Sequence, residues 1–419
     1  MSMKKLLLLL ILTFVSLTGN AQSLFDKVSE SAFAAYEQNS PHLSPREQEI
    51  MKKLKAESSR APRTITWEEF EQQAAQIAQD QARWEQKKIA LANDFLQLKG
   101  GKKSMQNNIF AHQGRPDYAK ETKGVKYIYV SDASGHDTQK IPVEVARLLR
   151  EVRQANPEAR ILLASEFAVR TSRFDVPICF ASQRQCSIGY PGLDNYNMFH
   201  RQVLENLHID LLGLDDYLQD DIWPKIGDTH ITYSVDNPHV QKALEVLGDL
   251  GSVYDSIRIY VSFSFWGVAK RNYQWQRYIQ AVKSDYDIIV VYCGNGHLDS
   301  GADSLPLLLA EPYVQFDFFS DEETNVSIEE SMTQSQLDIH LQYNGTADST
   351  TEELSHTIDL EKQKLLQKID TTKNYYLKST DETDSRLFKK WQEMYRAESG
   401  QDYVPGPCFE VYLIGDENR

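Results

Sequence analysis

Tyr286-Asp287-Ile288-Ile289-Val290-Val291-Tyr292-Cys293-Gly294-Asn295-Gly296-His297 is the stretch on which the fold turns. Its apolar and β-branched run is continuous, not alternating, which is the pattern of a parallel strand covered on both faces. The strand ends in Gly-Asn-Gly-His, and the two glycines predict a sharp, close backbone turn there. One imidazole, His297, is thereby placed at the C-terminal edge of a sheet, where open α/β sheets collect their ligands.

Working toward the N-terminus, strands and helices alternate. Val125–Val130 reads as a strand, Ile141–Gln154 as a helix, and Arg160–Ala164 as the next strand. Val143, Val145, Ala146, Leu148, Leu149 and Val152 are the expected buried face of that helix. Residues 171–195 read as loop, Tyr196–Leu207 as helix and Ile209–Leu214 as strand. His230–Val235 is a short strand, Val240–Leu250 a helix, Ile257–Phe265 a strong strand, and Asn272–Val282 a helix. Such alternation predicts right-handed β-α-β units and an α/β fold, with a mostly parallel central sheet flanked by helices.

The flanks differ in texture. Residues 1–21 read as a secretory signal: Lys4 and Lys5, an apolar core from Leu6 to Val15, and Gly19-Asn20-Ala21 before the expected cleavage. Residues 22–115 form a helical N-terminal extension, 116–320 the core domain and 321–419 a mixed C-terminal extension. Thr66-Trp67-Glu68-Glu69 is a capping box, and it starts a helix that should run to about Lys99. Phe70, Ile77, Trp84, Leu91 and Leu98 recur every seven residues, while Gln81 and Lys88 interrupt the second row. That favours docking on the core domain over a coiled coil. Phe409–Ile414 reads as a last strand at the sheet edge.

Composition bounds the partners. The chain has 419 residues, 41% hydrophobic and 25% charged, with net charge −15. That charge argues against nucleic acid and anionic membrane surfaces. No run after the signal is long and apolar enough to span a bilayer, so the signal predicts a periplasmic or secreted protein. Of the four cysteines, Cys179 and Cys186 are close enough to bridge, and four free thiols are the alternative.

Chemistry can be assembled at one rim. Ser131-Asp132-Ala133-Ser134-Gly135-His136 follows the first core strand, Ser165-Glu166 the second, and Asp215-Asp216 the third. In a parallel sheet these ends share the rim with His297. Candidate catalytic residues are therefore His136, Glu166, His297 and Asp132. Two imidazoles and a carboxylate can hold a divalent metal and acidify its water, with His136, His297 and Glu166 as ligands. Alternatively a carboxylate can orient one imidazole as general base. Trp266, Tyr273, Trp275 and Tyr278 surround the late histidine as pocket lining or as core, and Glu311 is a candidate supporting acid. His200 and His208 read as surface or partly buried.

These motifs resemble the superfamily of erythromycin esterases, haem-binding ChaN proteins and the TraB and Tiki proteins. Gly294-Asn295-Gly296-His297 is similar to its late Gly-x-x-His turn, and Tyr127 to His136 with Leu163-Ala164-Ser165-Glu166 looks like its early half. Arg271-Asn272-Tyr273 and Leu212-Gly213-Leu214-Asp215 resemble further segments of the esterase branch. The early turn carries Ala133 where the family has glycine, and its nearest acid is Asp132. The resemblance covers about residues 124–320. It implies hydrolysis of ester or peptide bonds in a small-molecule or peptide substrate, with or without a divalent metal, or alternatively binding of haem or metal. A third expectation is an inactive interaction protein that uses the long helix and the acidic tail as contact surfaces.

Overall fold

The computed structural model describes residues 43–58, 63–97, 109–133, 139–170, 176–183, 188–189, 194–215, 225–247, 253–298, 303–320, 362–379, 389, 392–394, 396–397, 400 and 406–414. The expected signal segment, His136 and Cys186 lie outside these residues.

The protein is α/β. Among the described residues nine strands form one sheet: β1 (Ile109–Gln113), β2 (Tyr127–Asp132), β3 (Ile161–Ser165), β4 (Ile178–Cys179), β5 (Asp210–Gly213), β6 (Ile288–Gly294), β7 (Tyr313–Ser320), β8 (Tyr375–Ser379) and β9 (Cys408–Leu413). Their spatial order is β1-β8-β9-β7-β2-β6-β3-β5-β4. The six central strands from β9 to β5 are mutually parallel, and antiparallel pairs join β8 to β9, β1 to β8 and β4 to β5. Strand β6 sits between β2 and β3, so strands consecutive in the chain are separated in space by the one that carries the Gly-Asn-Gly-His turn.

The continuous apolar run of β6 has the expected cause. Ile288, Val290 and Tyr292 pack on one side and Ile289, Val291 and Cys293 on the other, all buried. The first side is covered by α3 (Lys140–Ala155) and α4 (Asp194–Leu207). The second is covered by α1 (Pro45–Ser58), α7 (Phe265–Val282) and α8 (Leu305–Leu309). Val143 does not belong to the buried face of α3; it is half exposed.

Helix α2 (Trp67–Gln97) begins at the capping box as expected: Thr66 N donates to Glu69 Oε2 at 2.9 Å and Glu69 N to Thr66 Oγ1 at 3.2 Å. It docks on its own chain. Trp67, Phe70 and Ala74 pack with Ile257, Tyr260, Val261 and Trp266. The side chains of Leu91, Phe95 and Leu98 lie outside the described residues.

Three expectations are corrected. Ile257–Phe265 is not a strand: Val253–Phe263 is helix α6, following α5 (Pro238–Leu247). Its buried residues Ile257, Tyr260 and Val261 are spaced three and four apart, so packing on α2 outweighs the β-branched composition. The break before α7 is a cap: Ser264 Oγ accepts from Gly267 N at 3.1 Å, and a Cβ on Gly267 would collide with the Val261 carbonyl. The short strand near His230, Thr229–Thr232, does not join the main sheet; it pairs with Arg63–Thr66 and Lys225–Ile226. Strand β9 is interior, between β7 and β8, not at an edge.

Cys179 is disulfide-bonded, and Cys293 and Cys408 are free thiols. No helix among the described residues is long and apolar enough to cross a membrane.

Candidate functional site

Sheet order determines which strand ends meet. Tyr292 of β6 is level with Ser165 of β3, and Gly294 is level with Asp132 of β2. Glu166 follows Ser165, and its amide donates to the Tyr292 carbonyl at 2.9 Å. Side chains alternate along strands. Ser165 therefore faces α4 and Glu166 faces α7, the side on which His297 lies.

The turn itself is a short 3₁₀ segment, Asn295–His297, entered from Gly294 at φ −66° and ψ 151°. Neither Gly294 nor Gly296 is in the left-handed conformation. The proximity is supplied instead by Glu166, whose Oε2 accepts from Gly294 N at 2.7 Å.

Around Glu166 is a compact charged cluster. Arg271 Nη1 donates to Glu166 Oε1 at 2.9 Å and lies 3.4 Å from Asp215 Oδ2. Arg271 Nη2 reaches the Ser262 carbonyl at 3.4 Å. His297 Nε2 faces Glu166 Oε1 at 3.4 Å. On the other side of the ring, His297 Nδ1 and Asn272 Oδ1 are 2.7 Å apart. Trp275 lies against the imidazole with ring centroids 4.0 Å apart and planes tilted by 32°. Glu166, Asp215, Arg271 and His297 are each less than a tenth exposed, and Asn272 is fully buried. In such surroundings each charge needs a partner, and the two carboxylates share one guanidinium.

Helix α7 organises the cluster. Arg271, Asn272 and Trp275 project from successive positions of its buried face. Asn272 also links the turn to Asp303, since its Nδ2 donates to the His297 carbonyl at 3.2 Å and to the Asp303 carbonyl at 2.8 Å. Asp303 in turn accepts from Tyr273 OH at 2.7 Å and lies 3.4 Å from Gln81 Nε2 of α2.

The residues expected at the rim divide. Glu166 and His297 are brought together. Asp132 points to the opposite face, where its Oδ2 accepts from Tyr196 OH at 3.2 Å. His136 lies outside the described residues, in the segment that joins Ala133 at the end of β2 to α3. Glu311 pairs with Lys283 at 3.0 Å away from the cluster. Trp266, Trp275 and Tyr278 are core, while Tyr273 is exposed.

Sequence reasoning missed His200. It is buried, with Nε2 3.1 Å from Ser165 Oγ, on the same face as Asp132. Burial holds its pKa down at about 3, so the ring is neutral at ordinary pH. The signal was present: Tyr196, Phe199, Val203 and Leu204 are the buried stripe of α4, and His200 falls inside it.

A divalent metal does not fit the described side chains. His297 Nδ1 is engaged by Asn272, both oxygens of Glu166 are engaged, and the cationic position between the carboxylates is held by Arg271, while His297 Nε2 is turned toward Glu166. Among the described residues no group of three His, Cys, Asp or Glu side chains is arranged to hold a metal ion.

A cavity of about 370 Å³ opens at the opposite edge, beside Arg46, Arg153, Arg160, His208 and Asp210. Arg153 there is engaged by the carbonyls of Ala159, Leu207 and His208, and Arg160 by Asp287. This cavity is remote from the strand ends that carry Glu166 and His297.

The fold is thus a parallel-centred α/β sheet with a charged, imidazole-containing cluster at its C-terminal rim. No protein-family model, no curated protein and no solved structure matches the chain. Its function is therefore argued from the chemistry of this rim.

Proposed function

We propose that the protein is an exported hydrolase of the erythromycin esterase and ChaN-like type, acting on an ester or peptide bond. The observation that supports this is the Asn272–His297–Glu166–Arg271 arrangement: an imidazole held at Nδ1, with Nε2 turned to a carboxylate that an arginine and a backbone amide fix in place. That is the geometry of a group that takes and returns a proton. In this reading water loses its proton to an imidazole, that of His297 or of the other candidate His136, as its oxygen adds to the substrate carbonyl. The same proton passes to the leaving oxygen or nitrogen as the scissile bond breaks. Glu166 stabilises the imidazolium that forms, and Arg271 keeps Glu166 oriented. Asp132, on the other face, has no part in these steps.

A screen of ester and peptide substrates with the protein and with His297→Gln tests the proposal. Turnover that His297→Gln removes supports it. Turnover that survives the change would show that the chemistry lies elsewhere.

A second reading is favoured by the saturation of the cluster. The contacts named above are internal to the protein and each charged group is buried, as in a structural pin of an inactive interaction protein. Under that reading no substrate in the screen turns over, and His297→Gln changes stability alone.

A further inference from the structure

We infer that Asn272 is a positioning residue that sets which nitrogen of His297 carries the proton, and so aims Nε2 at Glu166. The inference rests on the proposed function only for its consequences on turnover.

The argument is one of donors and acceptors. The Asn272 side chain has one oxygen that only accepts and one nitrogen that only donates. Its orientation is fixed by two backbone carbonyls, those of His297 at 3.2 Å and Asp303 at 2.8 Å, both of which need a donor. Nδ2 must face them, because turning the amide over would set Oδ1 against two carbonyl oxygens in a fully buried position. Oδ1 is then the atom 2.7 Å from His297 Nδ1, and that ring nitrogen must carry a proton. Nδ1–H is therefore a donor in every protonation state of the ring.

The consequence falls on Nε2. In the neutral ring Nε2 is the bare nitrogen, able to accept a proton, and it lies 3.4 Å from Glu166 Oε1. Once protonated it becomes a donor to that carboxylate. The proton-exchanging atom is thus always Nε2, and Trp275 against the ring hinders the rotation that would exchange the two nitrogens. Without Asn272 the Glu166 carboxylate, 3.4 Å from Nε2, favours the opposite neutral form, with the proton on Nε2. The Asp303 carbonyl makes this arrangement depend on Asp303, whose carboxylate is engaged by Tyr273 and Gln81.

The test uses the full chain labelled with ¹⁵N-histidine. The protein has ten histidines, and His297→Gln assigns the resonance. The expected result is a protonated Nδ1 at every pH at which the protein is folded. Asn272→Leu should move the neutral ring toward a proton on Nε2, while Asn272→Asp, which keeps an acceptor at Nδ1 though it loses the donor to the two carbonyls, should retain protonated Nδ1. Should Asn272→Leu not fold, the wild type and Asn272→Asp still decide. An unprotonated Nδ1 in the neutral wild-type ring would overturn the inference, as would an Asn272→Leu spectrum identical to wild type. On any substrate found, Asn272→Leu should lower kcat by about 10²-fold with little change in KM. Asn272→Asp should move the acid limb of the pH profile upward, because a carboxylate beside Nδ1 favours the charged ring. If no substrate is turned over, the hydrolase reading fails while the nitrogen spectrum still judges the role of Asn272.

Discussion

Replacing Arg271 by Met removes a guanidinium that stands between two buried carboxylates. Glu166 lies 2.9 Å and Asp215 3.4 Å from Arg271 Nη1, with all three side chains at or below a tenth exposed. At an effective dielectric of about 20, each contact represents roughly 5–6 kcal/mol of gross attraction. Most of that is offset by the cost of taking the charges out of water, and removing one partner of a buried pair costs about 3–5 kcal/mol net. The whole fold of such a domain is stable by about 5–15 kcal/mol, so the loss is large. Met keeps much of the volume against Trp275, which isolates the electrostatic part. The assay is urea unfolding at neutral pH, followed by tryptophan fluorescence. Arg271→Met should lower stability by about 3–5 kcal/mol, and adding Glu166→Gln and Asp215→Asn should recover most of the loss because no unpaired charge remains. If Arg271→Met does not fold, recovery of folded protein in the triple variant carries the same information. A loss below about 1 kcal/mol for Arg271→Met, or a triple variant no better than the single one, would refute the reasoning.

Other predictions are independent of the site's chemistry. His200 is buried and its pKa is lowered to about 3 in the fold against 6.5 when exposed, so between those values the unfolded chain binds the extra proton. Its contribution is complete above pH 6.5 and is lost as pH falls; from pH 7 to pH 5 it should account for about 2 kcal/mol of lost stability, and His200→Gln should flatten that slope in unfolding measurements. At Gly406 a Cβ would run into the Tyr313 backbone carbonyl where β9 begins. Gly406→Ala should therefore cost about 1–3 kcal/mol in thermal unfolding, and an unchanged Tm would contradict that packing.

Much of the sheet can be read from the chain because burial on both sides leaves a continuous apolar run, as in β6. The meeting of Glu166 and His297 was legible for a simple reason: both follow parallel strands by one to four residues. What sequence could not provide was strand order and register. Asp132 has the same relation to its strand end as Glu166, yet it faces α4 because Ser131, not Asp132, is level with Cys293. Phe409 to Ile414 looked like an edge strand because it comes last, whereas the order of strands in space follows no rule of sequence order. Helix α6 was misread because Ile257, Ile259 and Val261 alternate like a strand, while its burial follows a helical spacing dictated by Trp67 and Phe70 of α2. Asn272 was visible as a residue but not as an acceptor for His297, since that role depends on two carbonyls brought to it by the fold.

The most direct measurement of the central claim is kcat/KM for the best ester or peptide substrate with Glu166→Gln, His297→Gln and the double variant. If the carboxylate and the imidazole act as one proton-handling unit, each single change should lower it by about 10²–10⁴-fold and the double change should be little worse than either. Single variants that retain wild-type turnover, or effects that multiply fully in the double variant, would contradict the account.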